Sequence, residues 1–456
     1  MAKLSIIIPV YNMKEQLNYC LLTIRKTVFL PYEVIIVDDG SADAERIALQ
    51  EAGDDVQILR SEEHRGFSHA MNTGIRAAAG EVILFLHADV LLASHTVEDM
   101  LDALIADPAT AAVCAVAPRT YAWVSYPLDQ EYRSWEEFAA AAEEIRMREG
   151  GKKLPLIVSE MFAFMVRRDA AEAAGFLDEA YTVPALAAYD YTIRMTRGGF
   201  GIGVLTGTYV HHNDSIHQGL MEQYEKVRQG ERSYFQAKWG ISLDYSLHVR
   251  LDLLAMMDLT RKGLRVLEIG CACGITLREI GVRNPSAQLY GVELNENAAA
   301  AAAPFVKIMN MDVERLAPAE IPERFDYIIM GDVIEHLLDP WTAIRRLREL
   351  LAPGGSIVAS IPNVAHISNV HGVLSGRWTY EDSGLLDRTH FRFFTKYEII
   401  KLFEEADLII DEMRSKKLPI EEDWKRFREE ILSLRSVHVD PEDLDTFQWL
   451  VRVQCE

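Results

Sequence analysis

Two stretches of this chain share one local grammar, and that grammar restricts what the chain can fold into. A short β-branched run leads into a loop of Gly, Asp and Asn and then into an amphipathic helix, first from Leu4 and again from Leu264. Runs of this kind are buried on both faces, the mark of strands covered by helices on each side. In the first half, apolar runs at 4–8, 34–37, 56–59, 82–86 and 112–116 alternate with helical patterns near 14–27, 43–52, 67–79 and 96–106. The alternation predicts βα units around a mainly parallel sheet. The rhythm breaks over 119–160, where an aromatic stretch (Tyr121, Trp123, Tyr126) precedes a predicted helix over 134–148 that stops at Gly150-Gly151. From His217 to about Leu259 the pattern is helical, with a break at Gly240-Ile241-Ser242, and a second βα series runs from Arg265 to about Ile410. The closing TFQWLVRVQ predicts a late strand, antiparallel at the sheet edge.

A chain of 456 residues is too long for one ordinary core, so the two series are expected as separate α/β modules. The formal net charge is −22, acidic residues exceed basic ones in both halves, and no basic run stands out, which argues against nucleic acid or an anionic membrane as partner. The five cysteines are scattered and odd in number, so no disulfide framework is expected, and Cys271-x-Cys273 lacks the second pair of a zinc site. The opening MAKLSIIIPVYN is too short an apolar run for a signal peptide, and no stretch reaches the ~18 apolar residues that cross a bilayer. A cytoplasmic protein without a membrane span is expected.

The loops after the first strands carry the chemistry. Strand 5–8 runs into Pro9-Val10-Tyr11-Asn12, strand 34–37 into Asp38-Asp39-Gly40-Ser41, and strand 82–86 into His87-Ala88-Asp89. In a parallel sheet these loops meet at the carboxyl edge, where ligand crevices form. There a carboxylate can accept the imide N–H of uracil or thymine, Tyr11 can stack on the base, and an acid can hold a divalent cation against a diphosphate. Singly, each is also an ordinary capped turn. In this order, SIIIPVYN, VIIVDDGSAD, HRGFSHAMNTGIRAAAGEVILFLHADV, GFLDEAY and GVLTGTYVHHN resemble the family-2 glycosyltransferases of GT-A fold over residues 1–215. The resemblance implies that Pro9, Tyr11, Asp39, Gly66, Asn72 and Arg76 bind a UDP- or dTDP-sugar. It implies that Asp89 holds Mn2+ or Mg2+, and His211 or His212 completes the site. His87 stands where the family's first metal acid would be. The family's E-D-x-D stretch reads Ala187-Ala188-Tyr189-Asp190, which leaves Asp190 as the implied base of an inverting transfer. Asp190 can equally cap its helix or pair with Arg194 four residues on, with Glu160 as another base or with a domain that only binds.

In the second series, Arg265–Gly274 reads as a strand followed by E-x-G-x-x-x-G, a turn whose glycines let backbone approach a ligand closely. The next strand ends in Glu293, 23 residues after Gly270, where an acid can take both ribose hydroxyls. Asp312 and Val313 follow, where a carboxylate can hold an adenine amino group. With GDVIEHLLDP and LLAPGGSIVASIPN after them, these elements resemble the class I S-adenosylmethionine-dependent methyltransferases, whose fold is Rossmann-like. The resemblance implies that Glu268, Gly270, Gly274, Glu293, Asp312, Val313 and Asp332 hold the cofactor. Removal of the acceptor proton falls to His336 or to His390, in Leu386-Asp387-Arg388-Thr389-His390. The expected organisation is a GT-A domain over 1–215, a helical connector over 216–250 and a methyltransferase domain over 251–456. The two would act in series on a glycan or glycoprotein acceptor, such as a surface polysaccharide or flagellin. The rival expectations are a methyltransferase with a glycan-binding, catalytically weak first domain, and a non-catalytic scaffold.

Overall fold

The computed structural model describes residues 4–42, 55–118, 132–212, 221–419, 422–434 and 440–455. The helix expected near 43–52, the aromatic stretch at Tyr121, Trp123 and Tyr126, and the start of the connector at His217 lie outside them. The chain divides into two compact units, Met1–Ile241 and Ser242–Glu456.

The first unit is built on strands β1 (Leu4–Val10), β2 (Tyr32–Asp38), β3 (Val56–Arg60), β4 (Val82–Leu86), β5 (Val90–Leu92), β6 (Thr110–Val116), β7 (Lys153–Leu156), β8 (Ala163–Arg167) and β9 (Gly201–His212). They form one sheet in the order β3-β2-β1-β4-β8-β6-β9-β5, with β7 also on β9. The half from β3 to β4 is parallel, as the alternating pattern predicts. The other half is mixed: β8 runs antiparallel between β4 and β6. Strand direction leaves no mark in an apolar run, so "mainly parallel" is corrected to mixed. Helices α1 (Lys14–Thr27), α2 (Phe67–Ala77), α3 (Thr96–Ala106), α4 (Trp135–Glu149), α5 (Arg168–Ala174), α6 (Pro184–Arg197) and α7 (Met221–Trp239) accompany it. At Gly74 of α2 a Cβ would strike the Ile7 side chain, so this helix and β1 pack at glycine distance. Helix α4 starts as its sequence dictates: the Ser134 hydroxyl accepts the Glu137 N–H at 3.2 Å, and Gly150 ends it at φ +56°. Helix α7, in the stretch expected as connector, belongs to the first unit and packs on α6.

The second unit holds β10 (Arg265–Ile269), β11 (Gln288–Glu293), β12 (Lys307–Asn310), β13 (Phe325–Gly331), β14 (Leu351–Pro362), β15 (Leu408–Lys417) and β16 (Thr446–Cys455), in the order β12-β11-β10-β13-β14-β16-β15. Its helices include α8 (Ile275–Arg283), α9 (Glu296–Ala302), α10 (Pro340–Arg348), α11 (Ile367–Leu374) and α12 (Lys396–Glu404). Strands β10 to β14 are parallel, and the order reverses between β10 and β13, the switch point where doubly wound sheets bind ligands. The TFQWLVRVQ strand β16 is antiparallel, as expected, but it lies inside the sheet rather than at its edge. The edge is β15, whose Arg414, Lys416 and Lys417 supply the charge that edge strands carry. No helix among the described residues is long and apolar enough to cross a membrane.

Candidate functional sites

Pairing of Pro9 with Val37 and of Val10 with Asp38 brings the loops after β1 and β2 out together. The Asn12 N–H donates to the Ser41 hydroxyl at 3.0 Å, and the Ala42 N–H to Asn12 Oδ1 at 2.9 Å. Buried Asp39 accepts the Arg65 N–H at 3.0 Å and the Gly66 N–H at 2.7 Å, which ties this loop to the start of α2. A carboxylate has about four lone-pair positions, so Asp39 retains capacity toward a base. Tyr11 is 41% exposed and stacks on His64 at 4.0 Å. His64 also lies 2.8 Å from the Asp39 carboxylate, a partner that the sequence pattern did not single out although it opens the HRGF stretch. Gly66 takes φ +93°, where a Cβ would stand 3.0 Å from Thr182.

Two residues expected at the nucleotide are engaged by neighbouring parts of the fold. Buried Asn72 accepts the Leu177 N–H at 2.8 Å and donates to Leu177 O at 2.9 Å and Glu179 Oε1 at 3.1 Å, so its amide holds the GFLDEAY loop. Arg76 lies over the Phe176 ring at 4.4 Å. It sits ten residues beyond Gly66, about 15 Å along a helix leading away from the loop edge.

The third loop forms a candidate metal centre. Ligand atoms of His87, Asp89 and His212 all lie within 4.8 Å of one another, with His212 Nε2 at 3.6 Å from Asp89 Oδ1. Phe162 stacks on the His212 ring at 4.9 Å and its carbonyl accepts the His87 N–H at 2.9 Å, fixing both histidines. His211 points elsewhere: its Nδ1 meets the Tyr132 hydroxyl at 2.6 Å, and burial lowers its pKa. Strand parity decides this, since β9 pairs His212 with Val90 and His211 with Leu91. Of these two histidines, His212 is the one beside Asp89, and His87 joins it as a third donor.

Asp190 is not available as a base in this arrangement. It is fully buried, with Oδ2 at 3.0 Å from Arg194 Nε and Oδ1 at 2.6 Å from Lys238 Nζ and 2.9 Å from Trp239 Nε1. Helix α7 also sends buried Glu231 to the start of α6, where it accepts from Thr182 N at 2.7 Å, Thr182 Oγ1 at 2.6 Å and Val183 N at 3.1 Å. The charges suit the polarity of a helix start.

In the second unit the turn needs its glycines for backbone conformation and for packing against neighbouring side chains. Gly270 (φ +66°) would place a Cβ 2.7 Å from Val333, and Gly274 (φ +71°) one 3.0 Å from Ala302. Glu293 accepts from Ala272 N at 2.8 Å and Asn295 N at 2.7 Å, leaving lone pairs at the lip of the turn. The Met311 N–H on Glu293 O at 3.1 Å brings Asp312 beside it, and Asp312 caps a turn through Glu314 N at 2.9 Å; Val313 is buried in the core. Glu268 is buried, and burial pushes its carboxyl up to about 8 despite the nearby Arg250 cation. Asp332 takes φ +56°, and its carboxylate is held by Ser360 Oγ at 2.7 Å, Gln448 Nε2 at 2.8 Å and Arg250 Nη1 at 2.9 Å. Three partners thus fix the orientation of Asp332 at the end of β13. Arg250, Ser360 and Gln448 come from three distant segments, and nothing in their local sequence marks them.

His336 and His390 meet edge to face at 4.8 Å. The segment carrying His390 docks through Phe391 N at 2.9 Å and Arg392 N at 3.0 Å onto the carbonyl of Glu335. Burial lowers the His390 pKa, with His336 adding to the shift.

Residues 5–173 match the model of glycosyl transferase family 2, and residues 245–412 match that of a methyltransferase domain. The chain joins a stretch similar to family-2 glycosyltransferases to one similar to methyltransferase domains. Its second part is 31% identical over 160 residues to a ubiquinone biosynthesis O-methyltransferase of Cereibacter sphaeroides, covering 32% of this chain and 61% of that protein. Its first part is 40% identical over 90 residues to glycosyltransferase AglE of Haloferax volcanii, covering 19% of this chain and 30% of that one. The chain thus spans less than two thirds of the length of either relative. A mannosyltransferase, PcManGT, from Pyrobaculum calidifontis in complex with GDP-Man and Mn2+ matches at TM-score 0.39 and 20% identity, over 52% of this chain and 64% of that one.

Proposed function

We propose that this chain transfers a sugar from a nucleotide-diphosphate donor to a glycan or protein acceptor, with inversion, and then O-methylates a hydroxyl of that sugar from S-adenosylmethionine. The observation that carries the reading is that each sheet gathers acid-bearing loops at a carboxyl edge, Asp39 with the His87–Asp89 turn in one and Glu293 with Asp312 in the other. In the first unit Asp39 accepts from the base while Tyr11 stacks on it. His87, Asp89 and His212 hold the divalent cation whose charge offsets that of the departing diphosphate. In the second, the Gly270–Gly274 turn cradles the cofactor, Glu293 takes its ribose and Asp312 its adenine. His390 or His336 accepts the acceptor's proton as oxygen attacks the methyl group. One chain carrying both sites raises the local concentration of the glycosylated intermediate at the second. Both donors are cytoplasmic metabolites, so we place the work there.

The lock on Asp190 favours a second reading, in which the first unit binds nucleotide sugar or glycan without transferring it. Hydrolysis and transfer from UDP- and dTDP-sugars, measured with and without Mn2+, separate the two. Turnover that Asp89→Ala abolishes supports transfer, and its complete absence leaves the binding reading. Labelled methyl transfer that survives Glu293→Ala unchanged would refute the assignment of the second site.

A further inference from the structure

Glu335 has no task in the reading above, yet its surroundings are costly. It is 1% exposed, and neither carboxylate oxygen has a hydrogen-bond partner among the described residues. A buried polar group without a partner costs folding free energy, so one retained in a native core calls for a reason. Beside it, His336 Nδ1 lies 3.1 Å from the Thr389 carbonyl and His390 Nδ1 lies 3.2 Å from the Leu385 carbonyl. A carbonyl only accepts, so these contacts favour the tautomer with the proton on Nδ1, which keeps the Nε2 lone pair. Backbone carbonyls fix the tautomer of metal-ligating histidines in this way. Ligand atoms of Glu335, His336 and His390 all fall within 4.8 Å of one another.

We propose that Glu335, His336 and His390 bind a divalent transition-metal ion at the acceptor side of the methyltransferase unit. Two imidazoles and one carboxylate suit Zn2+, Co2+, Fe2+ or Mn2+ better than Mg2+, and three protein ligands leave positions open. On the methyl-transfer reading above, on which this role rests, the acceptor hydroxyl occupies an open position and releases its proton to solvent. Its oxygen then forms the new O–C bond while the C–S bond breaks, and the electron pair stays on sulfur. The ion also explains Glu335, which becomes an ionised ligand in place of an unsatisfied acid. His336 and His390 are then ligands, a role that replaces the proton acceptance given to either ring above, and the proton leaves to solvent.

The test uses the full chain with its first cluster disabled by His87→Ala and His212→Ala, so that only the second can load. Metal is stripped with EDTA, Co2+ is titrated, and its visible d–d absorption and equilibrium stoichiometry are read. A single equivalent of Co2+ is expected, with Mg2+ a poor competitor. Glu335→Gln, nearly isosteric with the protonated acid, lowers the Co2+ affinity by at least about tenfold, the loss that even an outer-shell partner produces, and His390→Ala does the same independently. No bound Co2+, or binding that both variants retain, overturns the proposal. If methyl transfer proceeds in the metal-free protein, the metal role fails while the methyltransferase reading stands. If Co2+ binds and no methyl transfer occurs with any acceptor, the metal site stands and the methyltransferase reading fails.

Discussion

Asp190 offers the sharpest test, because two roles for it predict opposite results. The carboxylate is fully buried and faces Arg194 Nε at 3.0 Å, Lys238 Nζ at 2.6 Å and Trp239 Nε1 at 2.9 Å. Removing one side of a buried ion pair costs about 3–5 kcal/mol, chiefly because the partners stay behind without compensation. The lower half of that range applies, since the Arg194 and Lys238 side chains keep 22% and 27% exposure and can rehydrate. Asp190→Ala is therefore expected to destabilise the first unit by about 3 kcal/mol, which for a unit of this size lowers its Tm by about 6–12 °C. Asp190→Asn keeps an acceptor for Trp239 and should lose less. The assay is calorimetric unfolding of the full chain, with donor hydrolysis measured on the same samples well below the transition. Should Asp190→Asn leave the Tm unchanged while activity falls a hundredfold or more, Asp190 is the base and the lock is broken in the working enzyme. Parallel loss of stability, with residual activity per folded molecule, supports the anchor.

Other outcomes follow from single residues. His212→Ala should weaken Mn2+ binding to the first unit at least tenfold in calorimetric titration, whereas His211→Ala should leave it intact and lose about 1 kcal/mol with its Tyr132 hydrogen bond; the reverse order would overturn the assignment. Gly270→Ala puts an L residue at φ +66° with its Cβ 2.7 Å from Val333. The backbone cost alone is roughly 1–2 kcal/mol, and S-adenosylmethionine affinity should fall with the Tm of the second unit; unchanged affinity refutes the cradle. The Glu268 carboxyl is raised from its ordinary 4.5 to about 8, so between those values the folded protein keeps a proton that the unfolded chain releases. Its contribution is then full below pH 4.5 and is lost as pH rises toward 8, at up to about 1.4 kcal/mol per pH unit. Glu268→Gln should flatten that part of the cofactor-free stability profile, and an unaltered slope would refute the buried neutral acid.

What was legible in the sequence is what local chemistry determines. The strand, glycine turn and acid at Gly270 and Glu293 stand where spacing placed them, because each depends on its own loop and one neighbouring strand. The same holds for Asp39 beside the first turn of α2. Where the arrangement differs from the expected one, the cause is long-range. His211 and His212 differ by a single step on a strand, and which of them faces Asp89 depends on the register of β9 against β5, set by residues more than a hundred positions earlier. Asp190 reads as an implied base, or as a helix cap or partner of Arg194; the Arg194 pair forms, but the helix already begins at Pro184, and Lys238 and Trp239, 48 and 49 residues on, close over the acid. Asn72 and Arg76 belong to a stretch whose start is tied to Asp39 at Gly66, but a helix carries them away from it at about 1.5 Å per residue. The seam at Asp190 has a functional consequence. Lys238, Trp239 and Glu231 all lie on α7, so one helix both seals the acid and caps α6. Asp190 thus fastens α7 to α6 through Lys238 and Trp239, beside Ala187 and Ala188, which carry no charge. Freeing the helix tests this directly: Glu231→Ala removes its contacts with Thr182 and Val183 without touching Asp190. If α7 only fastens the fold, the variant loses stability and gains no turnover. A rise in donor hydrolysis would instead show that the helix restrains the site.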